Sequence, residues 1–263
     1  MKIHWMYPHS GENIDDLRKI AETADACSYY SVLLTYHSLL SDTWIKCANT
    51  INLGHKFKYS LAIRTYALSP EYFVMMYKAF NEIQKNRIMF NIVAGDIQES
   101  ESSVDNIILN RDSFDTFEKR VDYTYKWMEK MVSLLPPENM PEIIMSGTSE
   151  KTLHSASCFA NYNLSMMNDY LDNPGKFKKN KNRMVCAAVK ISDSYEKAEK
   201  FIDDLPLKHQ KKWTIFGTEE DVEKKMIELK QAGVTDILLR ARPGDLEFHL
   251  VHDFVKKHNG IIN

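Results

Sequence analysis

The stretch Lys56–Gly95, KFKYSLAIRTYALSPEYFVMMYKAFNEIQKNRIMFNIVAG, holds two apolar strand-like runs, KYSLAIRT and RIMFNIVA, on either side of one helical pattern from Ser69 to Lys85. Ser69 followed by Pro70 and Glu71 predicts an N-cap with proline at the first helical position. Phe73, Met76, Tyr77 and Phe80 then recur at helical spacing, which assigns them to core packing. The two runs are continuously apolar rather than alternating, as expected of parallel strands covered on both faces. Strand, helix and parallel strand in this order make a βαβ unit. It leaves two polar residues to explain: Arg64 at the end of the first run and Asn91 within the second.

The same rhythm runs along the whole chain. IHWMY precedes a helical pattern over 13–28, and SVLLTY one over 41–53. After RIMFNIVA come a helix over 115–135, the strand EIIMSG with a helix over 149–159, and NYNLSMM with a basic connection. MVCAAVKI leads into a helix over 194–205 and a second over 219–232; DILLRA and a helix over 245–258 close the series. That gives about eight strands, and a compact (β/α)8 TIM barrel is the leading fold, with a doubly wound open sheet as the alternative. The open sheet calls for a glycine-rich turn after the first strand, whereas PHSGEN offers one glycine. With 9 glycines and 8 prolines and no low-complexity linker, one domain over 1–263 is expected.

Composition narrows the function. The chain has 263 residues, 44% of them hydrophobic, and its 34 basic and 36 acidic residues give a net charge of −2. No global attraction to nucleic acid or membrane follows from that balance. The local run KFKKNKNR, 176–183, reads as a solvated loop or as a phosphate-contacting patch. Cys27, Cys47, Cys158 and Cys186 form no CxxC or zinc pattern, so reduced and mostly buried thiols are expected. No leader-like segment and no apolar run of about 18 residues is present, which reads as a cytoplasmic protein.

In a barrel, polar residues at the C-terminal strand ends build the active site. The positions to inspect are His9 and Ser10, Tyr36 and His37, Arg64 and Thr65, Asn91, Ser146 to Ser149, Asn168 and Asp169, and Arg240 with Arg242. In MSGTSEKTL a strand runs through Ser146, Gly147, Thr148 and Ser149 into a helix, an arrangement that serves either as a phosphate cradle or as an ordinary N-cap. Arg64 is either a ligand-facing cation or a buried ion-pair partner. No GxSxG elbow, HExxH, DxD cluster or P-loop spacing occurs, which argues against a serine hydrolase, a metal site or a nucleotide triphosphatase of those kinds.

Taken together and in order, HWMYPHSG, SVLLTYHSLLSDTW, the Lys56–Gly95 stretch, PEIIMSGTSE and FGTEEDVEKKMIELKQAGVTDILL resemble the bacterial luciferase-like flavin monooxygenases, and among them the alkanesulfonate monooxygenase branch. The resemblance implies a TIM barrel that binds reduced FMN, received from a separate flavin reductase, and uses O2 to oxygenate a small organic substrate. It places Arg64 and Asn91 beside the flavin ring, His37 in a loop facing it, and Ser146, Gly147, Thr148 and Ser149 at the phosphate, with His37 and Arg64 as the catalytic candidates. It also implies a homodimer or a partner subunit.

Departures from the branch are specific. Leu40 stands where it has a cysteine, Phe117 where it has a tyrosine, and Cys186 and Ala188 where strand seven carries an arginine and a histidine. Loss of that cation and acid/base pair argues against sulfonate cleavage. The connection LLPPENMP and the segment before the last barrel unit are also short, so a partner subunit covers the site or the chemistry differs. Two other readings stand beside the monooxygenase: a non-catalytic flavin-binding or partner subunit with an eroded site, and a barrel that uses deazaflavin F420.

Overall fold

The computed structural model describes residues 1–7, 14–35, 42–94, 114, 116–203, 208–241 and 248–262. Among the described residues nine strands form one parallel sheet: β1 Lys2–Tyr7, β2 Ser31–Leu34, β3 Lys58–Arg64, β4 Ile88–Val93, β5 Glu142–Ser146, β6 Tyr162–Met166, β7 Asn182–Ile191, β8 Thr214–Gly217 and β9 Asp236–Arg240. Strands β1 to β7 pair in sequence order, and β9 pairs with both β7 and β1, so eight strands close into a (β/α)8 TIM barrel. The extra strand β8 pairs only with the upper part of β7, Ala188 to Ile191.

The helices are α1 Ile14–Ala26, α2 Thr43–Thr50, α3 Pro70–Ile83, α4 Phe117–Leu134, α5 Glu150–Phe159, α6 Met167–Asp172, α7 Tyr195–Asp203, α8 Glu219–Gln231 and α9 Phe248–Ile262. Their starts are chemically marked. Ser69 Oγ accepts from the Tyr72 amide with Pro70 inside the first turn of α3. Thr218 and Asp221 make a reciprocal capping box at α8. Gly233, at φ +91°, ends that helix in a conformation that L side chains rarely adopt.

The expected helical stripe on α3 packs as the spacing demands: Phe73, Tyr77 and Phe80 are buried, and Phe73 meets Phe90 of β4 edge to face at 4.6 Å. Two elements are additional to the sequence reading. The four-residue β8 is too short for a periodicity to register, and α6 begins directly where β6 ends. Three cysteines are buried and Cys158 is exposed, all of them free. No helix among the described residues is long and apolar enough to cross a membrane.

Two apolar layers result. The larger lies between the strands and the surrounding helices and includes Trp5, Phe73, Phe90 and Trp127. The smaller fills the barrel axis with Leu33, Ala62, Met89, Ile144, Leu164 and Met184. Polar side chains nevertheless occupy the axis. His4, fully buried on β1, bridges Ser31 of β2 at 2.7 Å through Nδ1 and Asp236 of β9 at 3.1 Å through Nε2. Burial holds the ring below the usual histidine range despite the opposing pull of Asp236. The neutral ring satisfies both contacts: Nε2–H donates to Asp236, and Nδ1 accepts from the Ser31 hydroxyl.

The N-terminal end of the barrel is sealed by a charged network. Glu142 accepts from Lys58 Nζ, from the Tyr30 hydroxyl at 2.8 Å and from the Tyr162 hydroxyl at 3.2 Å. Tyr162 in turn accepts from Lys2 Nζ at 2.9 Å, and that ammonium lies 4.0 Å from the Tyr30 ring centroid. Burial pushes the Glu142 carboxyl upward, but hydrogen bonds from Lys58 and Tyr30 outweigh it and hold the group below its ordinary value. A depressed carboxylate pKa stabilises the fold above the unfolded pKa, and the stabilisation is lost as pH falls through the folded one. Glu142→Gln is therefore expected to cost about 2–3 kcal/mol at pH 7, less than a fully buried pair because both partners keep some solvent contact. The gap between variant and parent should narrow below about pH 4, as checked by urea unfolding across pH; a gap independent of pH would overturn the assignment.

Candidate active site

A cavity of about 410 Å³ opens at the C-terminal mouth of the barrel, where every strand delivers its last inward side chains. One arc of its wall is polar: Arg64 from β3, Asn91 from β4, and Ser146, Gly147 and Thr148 at the end of β5. The facing arc is apolar and rich in sulfur, with Met6, Leu33, Leu164, Met166, Cys186 and Leu238. Pairing in register explains the grouping: Ala62 lies opposite Asn91, Arg64 opposite Val93, and Asn91 opposite Ile144. Alternation then points Ala62, Arg64, Asn91 and Ser146 to the same side of the sheet.

Each polar group is held by its neighbours. Arg64 is buried, and its Nη1 donates to the Tyr66 hydroxyl at 2.9 Å. The Ser146 hydroxyl donates to Asn91 Oδ1 at 2.7 Å, which leaves the Asn91 amide N–H2 without a hydrogen bond among the described residues. Ser165 is 5% exposed, lines the same cavity, and its Oγ has no hydrogen-bond partner among the described residues. Buried polar atoms are rarely left unpaired, so the Asn91 amide presents capacity for a ligand, whereas Ser165, in register with Val185 of the outer layer, turns its enclosed hydroxyl away from the axis.

The turn after β5 is fixed from β6. Gly147 N–H donates to Leu164 O at 3.0 Å, and Asn163 Nδ2 donates to Met145 O and Gly147 O at 3.3 and 3.2 Å. Ser149 is the N-cap of α5, its Oγ accepting from the Thr152 amide at 3.2 Å and contacting Thr152 Oγ1 at 2.8 Å. Of the four residues Ser146 to Ser149, the first three line the cavity and Ser149 is occupied with capping. Thr148 makes no side-chain hydrogen bond among the described residues and stands at the start of a helix whose first amides attract anions.

Among the other candidates, Asp169 lies on the cavity rim beside Asn168, and Thr65 is buried against Thr124 at 2.9 Å, away from the cavity. Arg240 sits beside the Trp213 ring at 5.5 Å. His9, Ser10, Tyr36, His37, Leu40 and Arg242 lie outside the described residues. Cys186 is an unreactive thiol: burial pushes it up to about 11, only partly opposed by Arg240, and its nearest polar contact is Met6 Sδ at 4.0 Å. The set Ser31, His4 and Asp236 has the residue types of a hydrolytic triad, but none of the three lines the cavity, and the ring presents Nδ1 to serine and Nε2 to aspartate, the reverse of the working order. No group of three metal-ligating side chains occurs among the described residues.

Gly147 has φ +137°, and a Cβ there would sit 2.9 Å from Thr152 Cγ2. Gly147→Ala is expected to lower stability by about 1–3 kcal/mol and to displace Thr148; a thermal melt and a ligand titration on the variant check both, and a fully stable variant would show that the turn tolerates a side chain.

No protein-family model matches the chain. Solved structures match across essentially its full length. An F420-dependent secondary alcohol dehydrogenase in complex with an F420–acetone adduct superposes with a TM-score of 0.79 at 13% identity, covering 100% of this chain and 99% of that one. A long-chain alkane monooxygenase gives 0.77 at 11% identity, with 99% and 91% coverage. The EDTA monooxygenase from Chelativorans sp. BNC1 gives 0.76 at 11% identity, with 100% and 93% coverage. At such identities the likeness establishes the shared barrel fold.

Proposed function

We propose that this barrel is a flavin-dependent oxidoreductase of the luciferase-like kind, a monooxygenase that takes reduced FMN from a separate reductase and oxygenates a small organic molecule with O2. The observation that carries the reading is the two-sided cavity, with donors on one arc and an apolar wall on the other. A ring with one polar edge and two apolar faces fits that division. Asn91 N–H2 supplies the unpaired polar capacity such a ring needs, Arg64 supplies a cation toward an anionic ring or substrate, and Thr148, whose hydroxyl is not committed as that of Ser146 is to Asn91, contacts the phosphate. When bound, the reduced flavin supplies the electrons that activate oxygen. The chain's own task is to orient the ring, exclude water with Met6, Leu164 and Leu238, and seat an apolar substrate against them. His37 is retained as a catalytic candidate on the resemblance of its segment alone.

A second reading, hydride transfer with a deazaflavin, is favoured by the sulfur atoms of Met6, Met166 and Cys186 in the cavity wall. An oxidant generated there would convert thioethers to sulfoxides, whereas hydride transfer leaves them intact. Two of the solved structures with this fold carry F420-dependent enzymes. Anaerobic titration with reduced FMN, oxidised FMN and F420 tests both readings. Preferential binding of reduced FMN is expected, with Asn91→Ala and Thr148→Ala each weakening it about 5–10-fold, or roughly 1–1.4 kcal/mol. Tight binding of F420 alone would transfer the proposal to hydride chemistry, and no binding of either would point to a non-catalytic partner subunit.

We further propose that two copies associate through α2 and α3, where Ile45, Tyr72, Met75 and Ile83 are half-exposed or more on one side of the barrel. Tyr72→Glu with Met75→Glu should convert a dimer to a monomer in sedimentation analysis; a parent that is already monomeric would remove the proposal.

A further inference from the structure

A cavity larger than the one at the mouth lies outside the barrel. It encloses about 890 Å³ between α4, α5 and the connection that follows α6, more than twice the space at the barrel mouth. The connection is the lysine-rich word that composition alone leaves undecided, and folding brings Lys176, Lys178 and Lys179 to the cavity rim. All three are exposed, and none makes a side-chain ion pair or hydrogen bond among the described residues. The acidic residues nearby do not neutralise them: Asp122 is tied to Lys151 at 2.7 Å, which leaves Glu150 as the one other carboxylate among the lining residues.

The inner wall is of a different character. Tyr125 of α4 and His154 of α5 lie with their rings nearly parallel, 8° apart and 6.0 Å between centroids, above an apolar floor that includes Val121 and Leu153. Asn180, 4% exposed, closes the connection onto that floor. Its Nδ2 reaches Leu153 O at 3.5 Å, the outer limit of a hydrogen bond, and its Oδ1 has no partner among the described residues. A buried amide carbonyl without a donor is uncommon in a folded protein. Enclosed as it is, that oxygen belongs to the packing of the connection rather than to the open wall of the groove.

Cations on the rim and an aromatic pair on the wall are complementary to one kind of small molecule. We infer that this cavity is a second binding site, for a nucleotide-like ligand. Its phosphates meet Lys176, Lys178 and Lys179, and its planar group lies against Tyr125 and His154. The volume falls within the range of small-molecule sites, about 300–1,000 Å³. The site is separated from the barrel mouth by the first turn of α5: Thr148 lines one cavity, and Glu150 and Lys151 line the other. Occupancy would therefore bear on the same helix start that faces the mouth, and the inference does not depend on which cofactor the mouth binds.

The test is calorimetric titration of the whole protein with ADP as the probe, with adenosine and tripolyphosphate as its two halves, at low and at physiological ionic strength. Saturable binding of one ADP is expected, with adenosine and tripolyphosphate each at least tenfold weaker. The triple change Lys176→Glu, Lys178→Glu and Lys179→Glu lies on exposed side chains and should weaken ADP at least tenfold. His154→Ala should weaken it about fivefold, and Arg64→Ala, at the barrel mouth, should leave it unchanged. Tripolyphosphate binding as tightly as ADP, with His154→Ala silent, would reduce the site to unspecific attraction by lysines. Loss of ADP binding in Arg64→Ala would move the ligand to the mouth, and absence of saturable ADP binding would leave the groove to an acidic protein surface; each of these outcomes overturns the inference.

Discussion

Closure of the sheet at β7 is the constraint on which the rest of the molecule depends. Met184 to Cys186 pair on one edge with Leu164 to Met166 and on the other with Asp236 to Leu238. Side chains that face the axis have no helix to pack against and are buried only because the ring of strands is complete. An open sheet would expose Leu33, Met89, Ile144 and Leu238 together. The mouth cavity is a product of the same closure, since small residues at the upper level, Ala62 and Cys186, leave space that bulkier ones fill lower down.

Along the axis the protein separates its tasks. The lower end is closed by hydrogen bonds among Lys2, Tyr30, Lys58, Glu142 and Tyr162, a set that fixes strands to one another and does not reach the cavity. The upper end leaves the Asn91 amide N–H2 without a hydrogen bond among the described residues. The residues that lock the strands together are thus distinct from those that line the cavity, as is usual for barrels of this kind. The turn at Gly147 links them, because it is anchored to β6 below while presenting Thr148 above.

Much of this was legible in the sequence, for identifiable reasons. Parallel strands covered on both faces write themselves as unbroken apolar words, and Ser69-Pro70 and Thr218 mark helix starts by local chemistry that tertiary structure does not override. Arg64, Asn91 and Ser146 could be nominated because strand ends are where barrels place polar groups, and the structure brings them around one cavity. What could not be read was the division of labour within MSGTSE. Whether Ser149 caps or binds depends on whether its hydroxyl already faces the Thr152 amide, a distance no residue pattern states. The strand β8 and the groove beside Lys176 escaped for a related reason. Each is defined by what a distant segment brings to it: α4 to α5 in the groove, the upper half of β7 in the case of β8.

The buried histidine of β1 has a consequence for how the barrel finds its shape. A barrel can close with its strands offset by two residues and still keep apolar side chains inside, so apolar pattern alone does not choose the offset. His4 touches strands on both sides of its own, Ser31 on one and Asp236 on the other. Sliding β1 by two residues one way would set Met6 between those partners and leave the Asp236 carboxylate buried without its donor, and sliding it the other way would replace the neutral ring with a Lys2 ammonium buried in the axis, each a large penalty in an apolar interior. The imidazole thus works as a gauge that admits one offset at the seam between the first strand and the last. The chain is led to a single closed ring rather than to a family of slipped ones.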